Sequence, residues 1–213
     1  MRFGEAELQI EERLSRPLPG AEAQLRLAPH PRRGWSAGRV PDGLRRGAGL
    51  LLLYPRGGEA HVVLTLRDAQ LPNHPGQISF PGGAVERGES DAQAALREAQ
   101  EEIALDPTSV RVLGALTPLH IPVSGFALYP VVASCAVRPS MKPQTGEVQR
   151  LLEVSLADLA DPSRLGTHHG QRDGRPRHVP FFAIEGFRVW GATAMVLAEL
   201  LSLLDALPAA TGD

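Results

Sequence analysis

Gly82-Gly83-Ala84-Val85-Glu86-Arg87-Gly88-Glu89-Ser90-Asp91-Ala92-Gln93-Ala94-Ala95-Leu96-Arg97-Glu98-Ala99-Gln100-Glu101-Glu102-Ile103-Ala104-Leu105 is the stretch on which the fold turns. Ser90 with Gln93 makes a capping box, residues 91–104 are nearly all good helix formers, and Asp106-Pro107 stops the run, so a helix is expected over 91–104. At ~100° per residue, Ala92, Ala95, Leu96, Ala99 and Ile103 share one arc, while Glu98, Glu101 and Glu102 share another. One face packs, and the other gathers three carboxylates at i, i+3 and i+4.

Working outward, Gly49 to Tyr54 and His61 to Leu66 read as two strands joined by the turn-like Arg56-Gly57-Gly58-Glu59. Gln77-Ile78-Ser79-Phe80 follows a Pro/Asn/Gly-rich loop, and Pro81-Gly82-Gly83 breaks it as a tight turn. Beyond the helix, 110–116, 129–137, 148–154, 178–183 and 186–189 read as strands, 155–159 as a short helix, and 161–177 as a loop, because it is rich in Gly, Arg and His. A last helix over about 193–207 is apolar enough to cover a sheet face. Alternating strands and helices give an α/β class, an α/β/α sandwich on a mixed sheet. Residues 1–46 form a Pro/Arg-rich extension with a short helix at 5–14, packed on a main domain at 47–207, and 208–213 are a tail.

Composition removes several classes. Twenty-two Lys and Arg against 24 Asp and Glu leave a formal charge of -2, so neither a polybasic nucleic-acid binder nor an acidic tail fits. With one cysteine, Cys135, in an apolar strand-like run, a disulfide-built module is excluded and the thiol reads as core. The first residues carry charge throughout and no apolar run approaches the roughly 20 residues a bilayer demands, so a cytoplasmic location without membrane contact is expected.

Three neighbouring carboxylates oppose folding unless a divalent cation neutralises them, and hard oxygen donors suit Mg²⁺ or Mn²⁺ rather than Zn²⁺. The plain alternative is a solvated helix face. Arg97, four residues before Glu101, is placed to brace a ligand carboxylate, and a backbone carbonyl in the glycine turn can complete a metal shell.

Gly83, five residues, Glu89, seven residues and then Arg97-Glu98-Ala99-Gln100-Glu101-Glu102 resembles the Nudix box, with Ala104 where the family usually has Gly. The resemblance implies a Nudix-type α/β/α sandwich with a mixed central sheet, metal ligation by Glu98, Glu101, Glu102 and the Gly83 carbonyl, and hydrolysis of nucleoside diphosphates linked to another group. Catalysis then falls to Glu98, Glu101 and Glu102 with Arg97 as support. Glu101 is the candidate general base, with His120 as a loop-borne competitor.

Ahead of the box, Leu64-Thr65-Leu66-Arg67 and Gly76-Gln77-Ile78-Ser79-Phe80-Pro81-Gly82-Gly83 resemble the additional motif of coenzyme A pyrophosphatases, which cut CoA into 3',5'-ADP and 4'-phosphopantetheine. Val63, Asp68 and Pro72 depart from that motif's usual Leu, Ser and Arg. The implied ligand is a small nucleotide, CoA, bound by Arg67, Gln77, Ser79, Gly82 and Gly83. Alternatives are a hydrolase of other substrates such as ADP-ribose or NADH, and a non-catalytic nucleotide-binding protein. Arg67 could instead pair with Asp68 or Glu86. Arg172, Arg175, Arg177, His168 and His169 are candidates for phosphate contact or for local salt bridging, and Trp190 reads as core packing rather than adenine stacking. The sequence leaves the oligomeric state open, a homodimer among the alternatives.

Overall fold

The computed structural model describes residues 1–32, 34–70, 76–172 and 175–209. Its strands run β1 (Arg45–Arg56), β2 (Glu59–Arg67), β3 (Ile78–Ser79), β4 (Gly82–Ala84), β5 (Arg111–Ala115), β6 (Leu119–Ile121), β7 (Phe126–Ser134), β8 (Val148–Ser155), β9 (Leu165–Arg172), β10 (Arg175–Ile184) and β11 (Phe187–Trp190). The helices are α1 (Phe3–Leu14), α2 (Gly20–Leu25), α3 (Asp91–Ile103), α4 (Leu156–Ala160) and α5 (Gly191–Leu203).

β1 is the centre of the molecule. From Gly47 to Tyr54 every residue is buried, as a strand covered on both faces must be. Its side chains alternate between two cores: Leu50, Leu52 and Tyr54 pack with Ala95, Ala99 and Ile103 of α3, and Leu51 and Leu53 pack with the α5 residues and with Ala6 and Ile10 of α1. β1 pairs parallel with β7 and antiparallel with β2 and β4, so the eight-stranded sheet is mixed. Helices on both faces complete the expected α/β/α layering.

Several parts of the chain depart from the expectation. Pro81-Gly82-Gly83 is not a turn: Gly82 and Gly83 lie in β4, with Gly82 opposite Gly49 and Gly83 opposite Ala48. The 161–177 segment is not a loop, because β9 and β10 form a hairpin in a second, three-stranded sheet, β11-β10-β9. Its Gly, Arg and His content reflects exposure, with His168, His169 and His178 all exposed, rather than an absence of pairing. The lead-in also carries a helix, α2. It is pinned by Glu199, fully buried on α5, which accepts hydrogen bonds from Gln24 Nε2 (2.9 Å) and from the Thr117 N–H and hydroxyl (3.1 and 2.6 Å). Among the described residues no helix is long and apolar enough to cross a membrane.

Candidate active site

α3 begins where the sequence says it should. Ser90 Oγ accepts the Gln93 N–H at 3.2 Å and Gln93 Oε1 accepts the Ser90 N–H at 2.9 Å, which closes the capping box. The helix ends at Ala104, a left-handed C-cap with φ 53°, a conformation that glycine adopts without steric cost. Between these caps the helix holds its glutamates against β4.

The contact with β4 leaves no free space for a side chain at either glycine. A Cβ on Gly82 would lie 2.7 Å from the Gly49 Cα and closer still to the Ala48 carbonyl, while one on Gly83 would overlap the Glu98 carboxyl group. Gly82 also donates its N–H to Glu102 at 3.1 Å. The glycine pair therefore admits the carboxylates to the backbone of the sheet.

The three glutamates differ in setting. The Glu102 side chain is only 6% exposed and lies 3.5 Å from an Arg67 guanidinium nitrogen. Burial pushes its carboxyl up to about 7; the Gly82 N–H and Arg67 pull it down, while Glu98 and Glu147 add to the rise. Glu98 is also raised by burial, against the opposing pull of Arg97, which donates to it at 2.9 Å. The Glu101 side chain is 57% exposed and takes a 3.3 Å hydrogen bond from Arg97. Arg97 grips Glu89 with two nitrogens (2.8 and 3.1 Å) and donates to the Ala84 carbonyl (3.0 Å). It thus fastens helix to loop and strand, and holds the Glu89 carboxyl well below its usual range. Among the described residues no three acidic, His or Cys side chains converge as a ready metal cage. The donor chemistry nonetheless fits a hard cation: two desolvated carboxylates within electrostatic reach of each other, a third nearby, and Gly83 directly against Glu98.

Beside Gly82 and Gly83 opens a cleft of about 740 Å³ that Arg67, Gln77 and Ser79 also line. Ile78 and Phe80 are buried and Gln77 and Ser79 half-buried, the alternation a strand imposes, and all four border the cleft. Arg67 pairs with Glu102 rather than with Asp68 or Glu86, and its N–H bonds the Gln77 carbonyl at 2.9 Å. His120 is not loop-borne: it lies on β6, buried, outside the lining of the cleft, and its carbonyl accepts from Arg32 at 3.2 Å. Trp190 is not core: it is 39% exposed and lines the cleft with Arg175 and Arg177. His169 instead stacks edge-on against His178, with ring centroids 4.8 Å apart. Cys135 is a buried free thiol. Pro72 and the Arg172 side chain lie outside the described residues. Sequence reasoning missed Pro29, Pro31 and Arg32 of the lead-in, which also line the cleft and have no local signature.

The NUDIX domain profile matches residues 43–174. The chain is 37% identical over 168 residues to a protein described as the uncharacterized Nudix hydrolase NudL of Citrobacter koseri, covering 77% of this chain and 85% of that one. The protein of the same description from Salmonella paratyphi B is 35% identical over 165 residues, at the same coverage of 77% and 85%. Among solved structures, a MutT/nudix family protein from Enterococcus faecalis superposes with a TM-score of 0.52 at 15% identity, covering 78% of this chain and 64% of that one, a likeness of fold.

Proposed function

This chain belongs to the Nudix hydrolase family, and from that premise we propose that it hydrolyses the diphosphate bond of coenzyme A or its derivatives. Nudix-family hydrolysis of nucleoside diphosphate-type substrates is the broader activity. In the proposed reaction water adds across the P–O–P bridge: its oxygen joins one phosphorus, the bridging oxygen leaves on the other, and the products are 3',5'-ADP and 4'-phosphopantetheine. The observation that carries this reading is the way the CoA-type motif meets the box. Thr65 bonds the Ser79 carbonyl at 3.2 Å, Arg67 fixes Gln77 through its backbone, and the Arg67 guanidinium reaches both the cleft and Glu102.

Glu98, Glu101, Glu102 and the Gly83 carbonyl would hold Mg²⁺ or Mn²⁺, which when bound supplies charge neutralisation for the diphosphate and a water of lowered pKa. The remaining work belongs to the chain. Arg67 grips phosphoryl oxygens as a planar, permanently charged donor, and Gln77 and Ser79 add neutral donors beside it. Side-chain-free Gly82 and Gly83 let the diphosphate approach the backbone. Arg97 keeps Glu98 and Glu101 oriented. Glu101, the most exposed of the three carboxylates, takes the proton from the attacking water.

Mass spectrometry of products from CoA, NADH, ADP-ribose, Ap4A and 8-oxo-dGTP tests the proposal. CoA should yield the two named products. If CoA stays intact while ADP-ribose or NADH is cut, the assignment passes to a hydrolase of those nucleotides. That alternative draws on Asp68, whose carboxylate stands at the motif's usual Ser and accepts the Gln70 N–H at 2.8 Å. No product from any substrate would leave a binding protein.

A further inference from the structure

The lead-in and the second sheet meet at one antiparallel bridge, where His30 and His178 exchange backbone hydrogen bonds of 2.8 Å each. The bridge brings Arg32 to the cleft that Arg175 and Arg177 of β10 also line. Arg32 is half-buried. It donates to the His120 carbonyl at 3.2 Å and to the Met195 sulfur, and its guanidinium lies 4.9 Å from the Trp35 ring centre. Among the described residues no carboxylate pairs with it. Burial first, and then the like charge of Arg177, hold its pKa down to about 10. A desolvated cation beside another cation opposes folding, and an anion in the cleft would relieve that cost.

The kind of anion follows from charge. Each phosphate of a diphosphate diester carries one negative charge, whereas a phosphomonoester carries ~1.5–2 near pH 7 and accepts from several guanidinium donors at once. On the same cleft the Trp190 ring is 39% exposed, with the Arg177 guanidinium 5.9 Å from its centre. That is a flat platform able to stack a purine.

We propose that Arg32, Arg175 and Arg177 form a second anion subsite, apart from Glu98 and Glu102, that takes a ribose phosphomonoester while the purine lies against Trp190. The proposal rests on the reading that the substrate is an adenine nucleotide joined through a diphosphate. It is tested by calorimetric titration of the full chain, in Mg²⁺ buffer, with adenosine 3',5'-bisphosphate, adenosine 2',5'-bisphosphate and AMP, none of which contains a diphosphate to be cut.

One bisphosphate should bind at least about tenfold more tightly than AMP. Arg32→Gln should remove that preference and leave AMP affinity and the melting temperature of the free protein undiminished, and Arg32→Lys should restore part of it. Arg175→Gln, at an exposed position, should weaken the preference independently and decides the matter if Arg32→Gln fails to fold. A preference for the 3',5'-isomer supports both the subsite and the CoA assignment. A preference for the 2',5'-isomer keeps the subsite and sinks CoA. Equal binding of all three nucleotides, or a preference that neither variant reduces, overturns the subsite whatever the substrate panel shows.

Discussion

Replacing Glu102 by glutamine separates the two things this carboxylate does. In the metal-free fold it ionises at about 7, against 4.5 in the unfolded chain, because burial penalises its charge. A carboxyl whose pKa is raised by folding favours the fold while it is protonated. That contribution is complete below pH 4.5 and is lost as the pH rises through 7. At pH 8 the burden of ionised Glu102 is on the order of 3 kcal/mol. Glutamine keeps the shape and an oxygen for the Gly82 N–H, but gives up the attraction of Arg67 and adds an amide N–H₂ that must find acceptors. We therefore expect Glu102→Gln to stabilise the metal-free protein by about 1–3 kcal/mol at pH 8, a melting midpoint higher by roughly 3–10 °C. At pH 4.5 the difference should close. Scanning fluorimetry in EDTA at the two pH values reads the effect, and turnover of CoA in saturating Mn²⁺ reads its counterpart, a fall of at least about a hundredfold. Identical midpoints at pH 8, or turnover that survives the substitution, would refute the account of Glu102 as a desolvated ligand carboxylate.

Two further substitutions probe the same contact from its other sides. Gly83→Ala puts a methyl group into the Glu98 carboxyl; because that is the end of a flexible side chain it should swing aside, lowering turnover at least about tenfold while thermal stability changes by no more than about 1 kcal/mol. Ala104→Gly removes a side chain from a left-handed helix cap and should raise stability by about 0.5–1 kcal/mol in urea titration, with unchanged turnover; destabilisation would show that the Ala104 methyl contributes packing that the backbone conformation does not reveal.

Legibility in the sequence followed the range of the forces involved. α3 was readable to within a residue because its cap, its propensities and its stop are all local, and the β1–β2 hairpin was readable because its turn and both strands are contiguous. The β4 pairing was not, since a Gly-Gly pair reads as a break until β1 is known to lie beside it. Of the β9–β10 hairpin, 178–183 was legible as a strand, but β9 was hidden for a related reason: with Thr167, His168 and His169 exposed it has no apolar alternation to betray it. In the candidate site, the helical spacing placed the glutamates on one side of α3, but could not show that Arg97 would hold Glu101 outward while Glu102 sank against Gly82. Arg32 left no trace at all, because its position depends on a bridge between residues 30 and 178.

That bridge has a consequence for comparing this chain with its relatives. The stretch shared with the NUDIX profile, 43–174, omits Arg32 before it and Arg177 and Trp190 after it, yet all three line the cleft. A molecule filling the cavity therefore touches residues inside the profile on one side and residues beyond its borders on another. Proteins that agree letter for letter through the box can still diverge in what they admit, and a trimmed version ending at the profile's borders would keep the glutamates while losing part of the vessel around them.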